Sequence, residues 1–173
     1  MYFIDAAHFV HSAFLGFLWS FSRIFLRAPS GRRRFNVLGA LHATTHALVT
    51  YCNEGYINAQ SVCTLLTDVA KASAGKAISV VLDNARYQRC KLVMAKAEEL
   101  GIELIFLPPY SPNLNLIERL WKFVKKEALY SKYYETFDNF QNAIEDVLAN
   151  TDKKHKNALD SLLTLNFQTF DNA

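Results

Sequence analysis

The chain is poor in cysteine: Cys52, Cys63 and Cys90 are its only three, an odd number with no CxxC pair. That excludes a disulfide framework and a cysteine-built zinc site, and it suits a reducing cytoplasm. No apolar run reaches the length of a membrane span. The longest, AFLGFLWSFSRIFL from Ala13 to Leu26, is interrupted by Gly16, Ser20, Ser22 and Arg23. The amino-terminal MYFIDAAHF lacks a basic stretch and carries an acid at position 5, so it does not read as a secretory signal. Internal repeats, low-complexity tracts and an interdomain linker are also lacking. So is a strong net charge: 19 Lys and Arg against 16 Asp and Glu leave +3, which permits nucleic-acid binding without demanding it.

What is present is a globular composition, 51% hydrophobic and 13% aromatic over 173 residues, enough for one domain with a full core. A short apolar strand is expected at Tyr2 to Ala6 and another near Leu18 to Leu26. A hairpin should follow at Phe35 to Ala43 and Ala47 to Asn53. Asn58 can cap a helix running to about Ser73, with Val62, Leu65, Leu66 and Val69 as its apolar face. AISVVLD, residues 77 to 83, has the continuous apolar character of a strand buried on both faces. ARYQRCKLVMAKAEELG then reads as a helix closed by Gly101, and IELIFL as a further strand, which makes a parallel crossover unit. A proline-punctuated turn leads into a helix from Leu116 to about Tyr130, and Thr136 caps another. The expected fold is α/β: an antiparallel meander continued by parallel strands and flanked by helices.

Three carboxylates stand out by position. Asp5 lies inside the first strand, where an unpaired interior charge is costly. Asp83 ends a central strand, the place where open α/β sheets put their functional crevice. Glu118 opens a helix, where the first-turn amides favour negative charge in any case. If the first strand lies beside the Asp83 strand, the three can face one another. Such acids repel unless a cation neutralises them, and hard oxygen donors suit magnesium or manganese. Ions of that kind serve phosphoryl transfer, in the two-metal scheme by activating the attacking oxygen and stabilising the leaving one.

FIDAAHF, VVLDNARYQ and LPPYSPNLNLIERLWKFVKK, taken together, resemble the catalytic domain of DDE transposases of the bacterial insertion-sequence branch of the mariner superfamily. The order Asp, Asp, Glu fits, as do the 34 residues between Asp83 and Glu118. The resemblance covers roughly residues 1 to 150, leaving 151 to 173 as a helical or frayed tail. It implies a ribonuclease-H-like fold, a metal-dependent DNA endonuclease and strand-transfer activity at transposon ends, and Asp5, Asp83 and Glu118 as the catalytic, metal-binding acids. It further implies two Mg2+ ions, replaceable by Mn2+. Expected partners are double-stranded DNA, both transposon ends and target, and a second copy in the reacting complex. The helix-turn-helix reader usual in that family is not found before Asp5, so the sequence is expected to be a fragment or downstream frame, with a separate amino-terminal polypeptide as one source of the reader, or else a remnant. The alternative is a non-catalytic DNA-binding or regulatory remnant. Either protein would be cytoplasmic and nucleoid-associated.

Around the acids, Asn84 and Asn115 are candidates for an outer shell that orients a carboxylate or a metal-bound water, and either is equally a turn or cap residue. Pro108, Pro109 and Pro112 stiffen the approach to Glu118. Arg119, Lys122, Lys125 and Lys126 on the helix, and Arg32, Arg33 and Arg34 in an expected hairpin turn, are candidate phosphate contacts; a solvated charged face is the ordinary alternative. Leu120, Trp121 and Val124 read as the core face of the same helix.

Overall fold

The structure is a computed structural model and describes residues 1–11, 21, 33–73, 75–109 and 111–167. The expected strand near Leu18 to Leu26 lies outside the described residues, and so does Arg32.

Five strands form one sheet in the order β3-β2-β1-β4-β5. They are β1 (Tyr2–Val10), β2 (Arg34–His42), β3 (Leu48–Asn53), β4 (Ile78–Leu82) and β5 (Ile102–Phe106). β1, β2 and β3 form the antiparallel meander, and β4 and β5 join β1 in parallel. Because strand side chains alternate between faces, the sheet supports two separate cores. One face carries Phe3, Ala7, Phe9, Val37, Leu41 and Val81 against the late helices α3 (Ile117–Ala128), α4 (Phe137–Ala149) and α5 (Lys156–Leu162). The other carries Ile4, Leu38, Ala40, Val80 and Leu82 against α1 (Ala59–Ala72) and α2 (Lys91–Glu99).

β1 runs four residues past its expected end. Ala6 and Ala7 have weak strand preference, but pairing decides: β1 and β2 match along nine positions, from Tyr2 opposite His42 to Val10 opposite Arg34. α2 starts later than its helical pattern suggests. Residues 85–90 form turns instead, nucleated where the Ala85 N–H donates to Asp83 Oδ1 at 3.1 Å.

α1 begins as expected. Asn58 accepts from the Ser61 N–H at 3.1 Å while Ser61 Oγ accepts from the Asn58 N–H at 3.3 Å, a reciprocal capping box. Asn58→Ala should therefore lower stability to urea by about 1 kcal/mol. An unchanged unfolding midpoint would show that this cap is dispensable.

Candidate active site

β1 and β4 are neighbours in the sheet, which brings Asp5 and Asp83 to one end of the molecule. Asp83 is the first residue past β4, and its Oδ1 is held by the Ala85 N–H. Glu118 reaches the same place from the other side. The chain leaves β5, turns through Pro108 and Pro109, makes one short 3-10 turn (Pro112–Leu114) and enters α3, whose first turn carries Glu118. There the helix N-terminus favours the carboxylate by about 0.3–1 kcal/mol. A cleft of about 320 Å³ is lined by Asp5, Asp83 and Glu118 together with Asn84, Asn115, Ser111 and the prolines.

Among the described residues, no Lys, Arg or His lines that cleft. The electrostatic result is visible at Asp5, which is pushed up from 3.8 to about 7. Burial is the main cause, and the negative charges of Glu118 and Asp83 add to it. Hydrogen bonds from the Ala6 N–H and the Trp121 indole oppose it without overcoming it. Tyr87 feels the same surroundings: burial, then Asp83 and Asp5, lift its hydroxyl to about 12 and keep it neutral.

These residues suit a hard divalent cation. Among the described residues, the acid side chains offer oxygen donors, no basic side chain lining the cleft offsets their negative charge, and Asn115 Oδ1 is a buried acceptor with no partner. Such an acceptor can take a hydrogen from a water on a hydrated ion. Among the described residues no three His, Cys, Asp or Glu side chains stand close enough to form a ready-made metal cage. The acids border the cleft rather than close on a point, which leaves room for waters and phosphate oxygens in the shell of a magnesium-type ion.

The two asparagines proposed from the sequence as outer-shell residues both line the cleft, and each also makes a structural bond. Asn84 lines the cleft with Asp83; its Nδ2 donates to the Leu107 carbonyl and its Oδ1 accepts from Arg89 at 3.2 Å, so it braces the end of β4 against the end of β5. Asn115 is no helix cap. Its Nδ2 donates to the Ile4 carbonyl at 3.2 Å, tying the start of α3 to β1 beside Asp5.

The basic candidates separate into groups. Lys122 lines a groove of about 680 Å³ with Arg119, Asn113 and Asn166, and the groove shares Glu118, Asn115 and Pro112 with the acid cleft. Lys126 is exposed and Lys125 half-buried, both in the last turn of α3. Arg119 is engaged by the chain itself: its guanidinium donates to the carbonyls of Leu162, Thr164 and Asn166 at 3.3, 2.7 and 2.7 Å. It pins the carboxyl-terminal segment beside the cleft, and Phe167 of that segment packs on Phe3.

Arg33 and Arg34 are not in a hairpin turn. Arg34 opens β2 and Arg33 precedes it. Both line a separate hollow with Glu54 and Tyr56 that shares no residue with the acid cleft. Arg33 is ion-paired to Glu54 at 2.7 Å and lies 4.0 Å above the Phe137 ring.

Sequence reasoning placed Trp121 in the core, where it is, but missed that its Nε1 donates to Asp5 Oδ2 at 3.1 Å. The signal was available. Trp121 follows Glu118 by three residues, hence on the same helix face, and a buried indole N–H needs an acceptor.

Residues 1–141 match the family model described as DDE superfamily endonuclease. No curated protein sequence matches the chain. Among solved structures, the Mos1 mariner paired end complex with Mn superposes with a TM-score of 0.72 at 13% identity, over 98% of this chain and 56% of the Mos1 chain. The Mos1 transposase paired-end complex with left transposon end gives 0.70 at 12%, over 96% and 56%. The HTLV-2 integrase catalytic core domain in complex with magnesium, in its trimeric form, gives 0.58 at 13%, over 88% and 84%. At such identities the likeness carries the fold, the ribonuclease-H-like mixed sheet of transposases and integrases. The chain spans about half the length of the Mos1 chains it matches.

Proposed function

The chain belongs to the DDE superfamily endonucleases, and from that premise we propose that it is the metal-dependent cutting and strand-transfer domain of a transposase. The observation that supports this best is the cleft itself. Three carboxylates from β1, the end of β4 and α3 surround one space with no basic side chain lining it among the described residues, and one of them is pushed to about 7. That arrangement stores negative charge for a cation to neutralise.

Asp5, Asp83 and Glu118 would hold the metal, and Mg2+ or Mn2+ bound there would make water a better nucleophile and offset charge building on a phosphodiester. The protein's own part is placement. The Ala85 N–H fixes the Asp83 carboxylate, Trp121 and the Ala6 N–H fix Asp5, and the proline turn with the Asn115 bond to Ile4 fixes the helix that carries Glu118. Asn115 Oδ1 would accept a hydrogen from water in the cleft. Water attacking in line at a phosphodiester at the transposon end displaces the 3′ oxygen, which leaves as a hydroxyl. That hydroxyl then attacks a target phosphodiester and displaces its 3′ oxygen. Lys122, in the groove that adjoins the cleft, and the exposed Lys126, farther along α3, would offer phosphate contacts. A homodimer would hold two ends, at the nucleoid.

The test is cleavage by the purified chain, with Mg2+ or Mn2+, of transposon-end DNA, random duplex and RNA:DNA hybrid. Nicked duplex DNA bearing 3′ hydroxyls is expected. Cleavage confined to the hybrid would make the chain a ribonuclease-H-type enzyme. Duplex binding with no cut strand in any arm would make it a non-catalytic, regulatory protein.

A further inference from the structure

Asp5 sits opposite Gly39 in the β1–β2 ladder, and residues opposed in an antiparallel pair present their side chains on the same face. Gly39 has none to present, and the space is filled from above by Trp121. A Cβ added to Gly39 would stand 2.7 Å from Trp121 Cη2 and 3.0 Å from both Trp121 Cζ2 and Ile117 Cδ1. The indole therefore rests on bare backbone, closer than any other residue at position 39 would allow. Seated at that depth, Trp121 is 2% exposed and its Nε1–H meets Asp5 Oδ2 at 3.1 Å. One face of α3 delivers both Glu118 and the donor that orients Asp5.

We propose that Gly39 and Trp121 are positioning residues that form a seat for the Asp5 carboxylate. The missing side chain of Gly39 sets how deeply the indole lies, and the indole N–H sets the rotation of the carboxylate toward the cleft. Neither residue touches substrate. The inference rests on the cation site proposed above, since carboxylate rotation matters most where an ion must be held to a few tenths of an ångström.

Trp121→Phe keeps an aromatic ring in the core and removes only the N–H donor. Its test is Mn2+ binding to the full chain, followed by electron paramagnetic resonance of the free ion, with thermal unfolding measured alongside. The expected result is an affinity for Mn2+ about tenfold weaker than wild type, in the range seen when outer-shell partners of metal ligands are removed. Gly39→Ala should weaken binding similarly by lifting the ring. The double variant should bind no more weakly than the weaker single, because both changes break the same contact. Nicking by either variant should recover as Mn2+ is raised to saturation. Wild-type affinity in Trp121→Phe, or fully additive losses in the double variant, would overturn the seat. If Gly39→Ala fails to fold, the Trp121→Phe affinity decides alone. Wild-type protein that binds no Mn2+, or an Asp83→Asn variant that binds it as well as wild type, would instead remove the cation site, and the seat with it.

Discussion

Asp83→Asn should abolish the proposed magnesium-dependent nicking, by at least about a thousandfold, while DNA affinity should change by no more than about twofold. The rate loss follows from removing one of the oxygen donors that hold the charge-neutralising ion, whose stabilisation of the transition state amounts to several kcal/mol, each 1.36 of them tenfold in rate. The substitution isolates charge from shape. Asparagine keeps an oxygen where Asp83 Oδ1 accepts from the Ala85 N–H at 3.1 Å, so the turn leaving β4 survives. Binding is spared because Asp83 is a negative group that repels phosphate; the candidate phosphate contacts lie on α3. Single-turnover nicking and a filter-binding or anisotropy titration on the same DNA separate the two effects. A variant that nicks at the wild-type rate would remove Asp83 from the chemistry.

Asp5→Asn makes the metal-free protein more stable at pH 8, by about 2–4 kcal/mol, and abolishes nicking. In the folded state Asp5 is lifted from 3.8 to about 7 by burial, then by Glu118 and Asp83. Between those values the folded chain holds a proton that the unfolded chain has released, so stability falls as pH rises through that window. The destabilisation is absent below about pH 4 and complete above about pH 7. At 1.36 kcal/mol for each tenfold change it reaches about 4 kcal/mol at most. Urea unfolding in chelator at pH 8, 6 and 4 should show the advantage of Asp5→Asn shrinking toward zero. Mg2+ should stabilise the wild type at pH 8 and leave the variant unmoved. An Asp5→Asn protein less stable than wild type at pH 8 would mean that the carboxylate is held favourably without a cation. Stability given up at the acids would then not be the counterpart of metal binding.

Two of the acids were legible in the chain because each breaks a local rule, a carboxylate within an apolar strand and another ending a fully apolar run; the third, Glu118, obeys the helix-start preference and stood out only beside the other two and behind its proline turn. The sheet was legible for a similar reason, since the alternation of Phe3, Ile4, Val37 and Leu38 between two cores is a period of two written directly in the residues. What the chain did not reveal is where side chains find partners far away in sequence. Asn115 bonds to the backbone of Ile4, 111 positions earlier, and no local pattern distinguishes that from a cap. Arg119 looked like its lysine neighbours on a basic helix. Its planar fork instead finds three carbonyls of residues 162 to 166, a geometry set by how the last segment folds back. The late start of α2 has a similar origin. ARYQR has helical preference, but the side chain of Asp83 captures the Ala85 N–H and Gln88 is fully buried, so tertiary placement overrides propensity.

Glu118 joins these levels. Its place in the first turn of α3 satisfies the helix dipole, and the same placement sets its charge against Asp5 across the cleft. The most direct test of the account is a crystal structure of the chain grown with Mn2+ and measured at its absorption edge. Anomalous density is expected within bonding distance of Asp5, Asp83 and Glu118, with waters completing the shell. An ordered, accessible cleft with no ion at saturating Mn2+, or an ion held elsewhere in the molecule, would contradict it.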